Sequence, residues 1–229
     1  MADKVRVAVL LSGRGSNMQA LAEYKRVADP AFEIVLVASN VPEARGLVLA
    51  RRFGIKTWAH SHKGLEREDF DRLLDAELRR RAVELIALAG YMRLLSGEFI
   101  RNWEGRILNI HPSLLPAYPG LDTHRRALLE GEEYGGCSVH VVTEDLDAGP
   151  VIAQTPVKIR GRDTPETLAE RVLAEEHRLY PAALDAYARW LQTNSPSPSG
   201  EGLGRGLSGD LGADHSPHPS LPSPEGEGK

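Results

Sequence analysis

Val5 to Ala22 reads VRVAVLL, then SGRGSN, then MQALA. The first part is an unbroken apolar run rich in valine, which marks a strand buried on both faces of a parallel sheet. The second is a tight glycine turn. The third opens a helix expected to run to about Ala28-Asp29-Pro30. Strand, glycine loop and helix in that order predict an α/β unit. They also predict an anion site, because free N–H groups and the positive end of the helix dipole face the loop. A phosphate monoester suits the loop better than NAD. No Gly-Lys-Ser/Thr follows the glycines. The third glycine of the dinucleotide fingerprint is missing, and the second strand, Phe32 to Ala38, ends in Ser39-Asn40 instead of an acid. The competing reading is a plain glycine turn with Ser16 or Asn17 as helix cap.

Working outward, the alternation continues. Helices are expected at Glu43–Arg52 (closed by Gly54), Glu66–Arg81 and Ser96–Trp103, and strands at Ile55–Trp58 and Glu84–Ala89. Phe70, Leu73, Leu74 and Leu78 keep helical spacing. Strand and helix alternating from residue 5 to 111 predict a doubly wound, mostly parallel sheet with flanking helices. Ile107–Gly120, ILNIHPSLLPAYPG, is a buried strand stopped by Pro112, Pro116 and Pro119. It delivers Asn109 and His111 to the C-terminal edge, where open parallel sheets bind ligands. Residues two apart in a strand share a face. The pair reads either as an amide and imidazole placed for chemistry, or as a turn cap and an interior histidine.

A helix at Thr123–Leu129 and a strand at Gly136–Val142 follow. The acidic loop Thr143–Pro150 comes next, then a strand at Val151–Ile159 whose Pro156 places it near an edge. Thr164 as N-cap, Pro165 at the first helical position and Thr167 three after the cap start a helix to about Tyr180. Pro181 either kinks it or begins a second helix through Leu191.

The chain has 229 residues with 28 Lys and Arg against 32 Asp and Glu, a net charge of −4 that calls for neither a nucleic-acid nor a membrane partner. Its one cysteine, Cys137, rules out an intrachain disulfide and fits a cytoplasmic location. That thiol reads as packing more readily than as a nucleophile. MADKVRVAVLL is too short for a signal peptide, and no apolar run reaches the ~18–20 residues of a membrane span. The expected domain is 1–192. Residues 193–229 hold eight Gly, six Pro and seven Ser and no aromatic residue, so a disordered tail is expected. Two histidines there, His215 and His218, read as solvated, and no Cys/His cluster has zinc spacing, so no metal is expected.

Asp147 lies in the loop after the strand expected to neighbour the one bearing His111. A carboxylate beside an imidazole orients it and raises its pKa. An amide aimed at a carbonyl oxygen stabilises an oxyanion. With no serine or cysteine nucleophile nearby, Asn109, His111 and Asp147 suit acyl transfer to an amine.

Four segments in order, SGRGSN (12–17), AGYMRLLS (89–96), NIHPSLLPAYPGLDTHRRALLEG (109–131) and LDAGPVI (146–152), resemble the phosphoribosylglycinamide formyltransferases. The similarity runs from about residue 5 to 190. It implies the formyltransferase fold, 10-formyltetrahydrofolate as co-substrate and a place in purine (IMP) biosynthesis. It also implies that Gly15, Ser16 and Asn17 bind the phosphate of phosphoribosylglycinamide and that Glu176 contacts the same substrate. Arg67 and Met92, Arg93, Leu94 and Leu95 line the folate site, with the backbone of Thr143 to Asp147 near the pteridine. Asn109 touches the formyl group, His111 is the catalytic acid, and Asp147 raises its pKa. The trio is grouped by this resemblance and by no spacing rule. Arg67 also reads as a surface charge and Glu176 as a helix-face charge. The resemblance implies direct attack by the substrate amine, with no metal and no covalent enzyme intermediate. A homodimer is left open.

Three rival readings are a methionyl-tRNA formyltransferase, a formyltetrahydrofolate hydrolase and a non-catalytic folate- or phosphate-binding module. The first needs a C-terminal domain and a basic face. The second carries an extra N-terminal regulatory domain. The third does not explain Asn109, His111 and Asp147 occurring together. Dependence of product on the ribonucleotide amine separates them.

Overall fold

The computed structural model describes residues 3–194. The expected tail lies outside these, apart from Thr193 and Asn194, which continue the last helix. One seven-stranded sheet has the order β3-β2-β1-β4-β5-β6-β7. The strands are β1 (Val5–Leu11), β2 (Phe32–Ser39), β3 (Thr57–Ala59), β4 (Leu85–Leu88), β5 (Ile107–His111), β6 (Tyr134–Val141) and β7 (Val151–Lys158). The helices are α1 (Ser16–Glu23), α2 (Arg45–Arg52), α3 (Arg67–Arg80), α4 (Gly97–Asn102), α5 (Thr123–Glu130) and α6 (Pro165–Asn194). The first five strands pair in parallel. Strand β6 runs antiparallel to β5 and to β7, and β7 with its Pro156 forms an edge.

Alternation along β1 sorts the core into two layers. Val5, Val7, Val9 and Leu11 pack with Met18 and Leu21 of α1, Leu47 of α2 and Leu168 and Tyr180 of α6. Ala8 and Leu10 face Phe70, Leu74 and Leu78 of α3 and Phe99 of α4. Apolar residues on both faces are what a parallel sheet covered by helices requires. Tyr180 is fully buried, and its hydroxyl reaches the carbonyls of Leu88 and Leu108 at 3.0 and 3.1 Å. That tie holds α6 against β4 and β5. The strand order reverses between β1 and β4, and loops leaving strand ends on either side of such a switch point form a crevice.

Several element bounds differ from expectation for local reasons. The first helix stops at Glu23 because Tyr24–Arg26 tighten into a 3-10 turn. Helix α2 starts at Arg45, since Ala44 is extended (φ −57°, ψ 125°). Ile55 stays out of β3 because its N–H turns back to the Ala50 carbonyl at 3.0 Å. Helix α6 runs through Pro181 without a break. At its start, Thr167 replaces the acid of a capping box: the Thr164 N–H donates to Thr167 Oγ1 at 2.9 Å, and the Thr167 N–H donates to Thr164 Oγ1 at 3.3 Å.

The turn from β6 to β7 closes tightly at Gly149. A Cβ there would lie 1.9 Å from the Val141 carbonyl oxygen. Gly149→Ala is therefore expected to destabilise the fold by about 1–3 kcal/mol, the usual range for overpacking. Urea denaturation checks this, and a midpoint equal to wild type would contradict the close approach.

Candidate active site

At the C-terminal end of β5, the side chains of Asn109 and His111 stand beside β6 and the loop after it. Register pairs Asn109 with His140 and His111 with Ser138 across the two strands. The Asp147 carboxylate lies between two imidazoles, with Oδ2 at 3.4 Å from His111 Nδ1 and Oδ1 at 3.5 Å from His140 Nε2. The Gly120 N–H donates to Asp147 Oδ2 at 2.9 Å, and an Arg101–Glu144 ion pair at 2.8 Å holds the same loop against α4. Among the described residues, three of the four non-glycine residues with positive φ, Tyr118, Asp122 and Asp147, belong to the loops around this cluster. Such backbone costs of order 1–3 kcal/mol each and persists where the surroundings enforce it.

His140 is the residue that sequence reasoning missed. It is 1% exposed. Its Nδ1 faces the Val141 carbonyl at 3.0 Å, which requires the proton on that nitrogen. In the neutral ring Nε2 is then an acceptor and takes an N–H from Asn109 Nδ2 at 3.1 Å; in the charged ring the same nitrogen donates toward Asp147 Oδ1 at 3.5 Å. The contact fixes which way the Asn109 amide points, and its second N–H remains available to a ligand. A histidine inside the apolar run Val139-His140-Val141 looks like core from sequence. Only the strand register exposes its partner.

His111 Nε2 meets the Tyr118 carbonyl at 2.9 Å. Both nitrogens therefore face acceptors, an arrangement that suits the imidazolium. Burial opposes it. Desolvation pushes the His111 pKa down, and the Tyr118 carbonyl and Asp147 pull it up only in part, with His140 and Arg126 adding to the fall. The carboxylate acts in the expected direction, but burial outweighs it, and the net shift is below the ordinary histidine value. Asp147 itself is pushed up by burial, yet the neighbouring His140, the Gly120 N–H and His111 together bring it below its ordinary value.

Across the switch point, Gly15 takes a left-handed conformation (φ 81°) as the cap residue of α1, with no side-chain cap bond. The reading of Ser16 or Asn17 as cap is thus not realised. No acidic residue occupies the first turn of α1, so its leading N–H groups stay open to an anion. A Cβ on Gly15 would lie 2.6 Å from the Gly46 Cα, so two glycines press α2 against the loop. Gly46 gave no signal in the sequence. Asn17 and Glu176, distant in the chain, meet with Asn17 Nδ2 donating to Glu176 Oε2 at 2.7 Å. Both are buried, Asn17 Oδ1 has no hydrogen-bond partner among the described residues, and burial raises the Glu176 pKa against the pull of that bond.

The segment leaving β4 is held at both ends. Ser12 Oγ accepts the Met92 N–H at 2.8 Å, and Asp71 of α3 accepts the Ser96 N–H at 2.6 Å. Arg93 packs its guanidinium over the Phe70 ring at 5.1 Å, while Met92 and Leu94 stand 69% and 56% exposed and Leu95 is buried. Arg67 is exposed at the first position of α3 and makes no side-chain hydrogen bond or ion pair among the described residues. Cys137 is fully buried, and desolvation pushes its thiol up to about 12, so it packs and does not react.

The formyl transferase family model matches residues 5–184. The chain is 49% identical over 187 residues to the trifunctional purine biosynthetic protein adenosine-3 of Gallus gallus, covering 81% of this chain but 19% of that protein. The chain thus spans about a fifth of that relative's length. It is 43% identical over 185 residues to the phosphoribosylglycinamide formyltransferase of Escherichia coli, covering 80% of this chain and 87% of the relative. The crystal structure of phosphoribosylglycinamide formyltransferase from Brucella melitensis superposes with a TM-score of 0.78 at 50% identity, covering 81% of this chain and 96% of that one. The chain belongs to the formyl transferase family, and within it to the phosphoribosylglycinamide formyltransferases.

Proposed function

We propose that this protein transfers the formyl group of 10-formyltetrahydrofolate to the amine of phosphoribosylglycinamide, a step of purine biosynthesis, in the cytoplasm. The observation that carries the reading is the Asp147 carboxylate held between His111 and His140 beside Asn109, across the crevice from an open helix N-terminus. The second N–H of Asn109 donates to the formyl oxygen as negative charge grows there. His111, neutral at rest, takes the proton released by the attacking amine, and Asp147 stabilises the imidazolium. His111 then returns the proton to the departing amine nitrogen. The co-substrate supplies the formyl carbon and the leaving nitrogen. Exposed Met92 and Leu94 suit its flat ring, and the cation of Arg67 suits an acidic tail. Gly15, Ser16 and Asn17 hold the ribonucleotide phosphate, and Glu176 contacts the same substrate.

The test is a formyl-transfer assay with both substrates, comparing wild type with His111→Ala. Product should require both substrates, and kcat should fall by about 10²–10⁴ in the variant. Formate released without the ribonucleotide would assign a hydrolase. Binding of either ligand with no transfer would assign a binding module.

A further inference from the structure

Ser39-Asn40 at the end of β2 takes no part in the chemistry above, yet Asn40 is buried at 3% exposure. It belongs to a chain of hydrogen bonds with a fixed direction. The Ser12 hydroxyl donates to Asn40 Oδ1 at 2.6 Å. With its proton committed, Ser12 Oγ accepts the Met92 N–H at 2.8 Å. The Ser12 N–H donates to the Gly90 carbonyl at 3.0 Å. On the far side, His62 Nδ1 lies 3.1 Å from Asn40 Nδ2 and 2.9 Å from the Asn40 carbonyl oxygen; its tautomer decides which of the two it bonds, and either bond holds Asn40 in place. Ser12 is the first residue of the phosphate loop, and Met92 opens the exposed segment after β4.

We propose that Ser12 is a positioning residue that couples the two substrate sites, so that filling the phosphate loop pre-orders the Met92–Leu95 segment for folate, and the reverse. The proposal rests on the assignment of those two loops made above. One hydroxyl spans both, so a ligand that orders either loop lowers the ordering cost left for the second ligand. Reciprocity follows from linkage: each ligand must tighten the other by the same factor. One hydrogen bond limits that factor to about two- to tenfold.

The experiment is calorimetric titration of the full chain with phosphoribosylglycinamide, with and without saturating tetrahydrofolate, which has no formyl group to give. Wild type should show the two- to tenfold gain. Ser12→Ala should bring the ratio close to one, Ser12→Thr should keep it, and His62→Ala, which touches neither loop, should reduce it. A purely structural loss would weaken both affinities and leave the ratio unchanged. An unchanged ratio in Ser12→Ala and His62→Ala, or no gain in wild type, would overturn the coupling. Failure of wild type to bind either ligand alone would overturn the assignment of the loops as well.

Discussion

Asp147→Asn lowers kcat by about 10²–10⁴ and leaves the KM of both substrates nearly unchanged. The geometry sets this split. Asp147 touches His111 at 3.4 Å, His140 at 3.5 Å and the Gly120 N–H at 2.9 Å, and its side chain is 9% exposed. An asparagine of the same size keeps the packing but cannot offset a positive charge on a buried ring. The imidazolium forms only during the reaction, so its loss is felt in the transition state and not in substrate binding. The pH profile supplies a second readout. Burial already places the His111 pKa below its ordinary value, and Asp147 opposes that fall. Removing the carboxylate moves the pKa lower still. His111 must be neutral to receive the proton, so the acid limb of kcat/KM moves to lower pH as the plateau drops. An acid limb that stayed in place, or a rise in KM with kcat intact, would remove Asp147 from this role.

Asn109→Ala lowers kcat by about 10²–10³, the range measured for loss of one oxyanion donor. Nothing nearby replaces the lost N–H, because the facing His140 Nε2 is an acceptor whose other nitrogen is committed to the Val141 carbonyl. The variant also leaves His140 Nε2, in a ring 1% exposed, without its donor, which adds a stability loss of about 1–3 kcal/mol. Steady-state kinetics with the folate and the ribonucleotide varied in turn, beside thermal unfolding, separates the two effects. A folded variant with wild-type kcat would show that the amide does not meet the developing charge.

The sheet was legible because its strands are unbroken apolar runs between glycine and proline stops. Val5–Leu11 and Ile107–His111 need no partner to be recognised. The box at Thr164 and Thr167 was legible because both members lie within one turn. What escaped depends on pairing across the fold. His140 is ordinary until register sets it against Asn109. Gly46 sits at the start of a helix that says nothing of Gly15. Asp147 entered through resemblance, since no periodicity points a loop carboxylate at a strand histidine. The direction in which Asp147 acts on His111 was legible, but the net shift was not, because sequence offers the carboxylate and not the depth of burial.

The Asn17–Glu176 contact carries a consequence for how the molecule comes into being. It joins residues 159 apart in sequence, whereas Asn109, His111, His140 and Asp147 all lie on β5, β6 and the loop before β7, with α5 between the two strands. Closing a long chain segment costs more entropy than closing a short one, and distant contacts form only after that cost is met. The histidine cluster can therefore take shape within residues 107–158. The Asn17–Glu176 pair waits until α6 lies down across strands made much earlier. The Asn17–Glu176 contact is thus among the later features the nascent chain acquires.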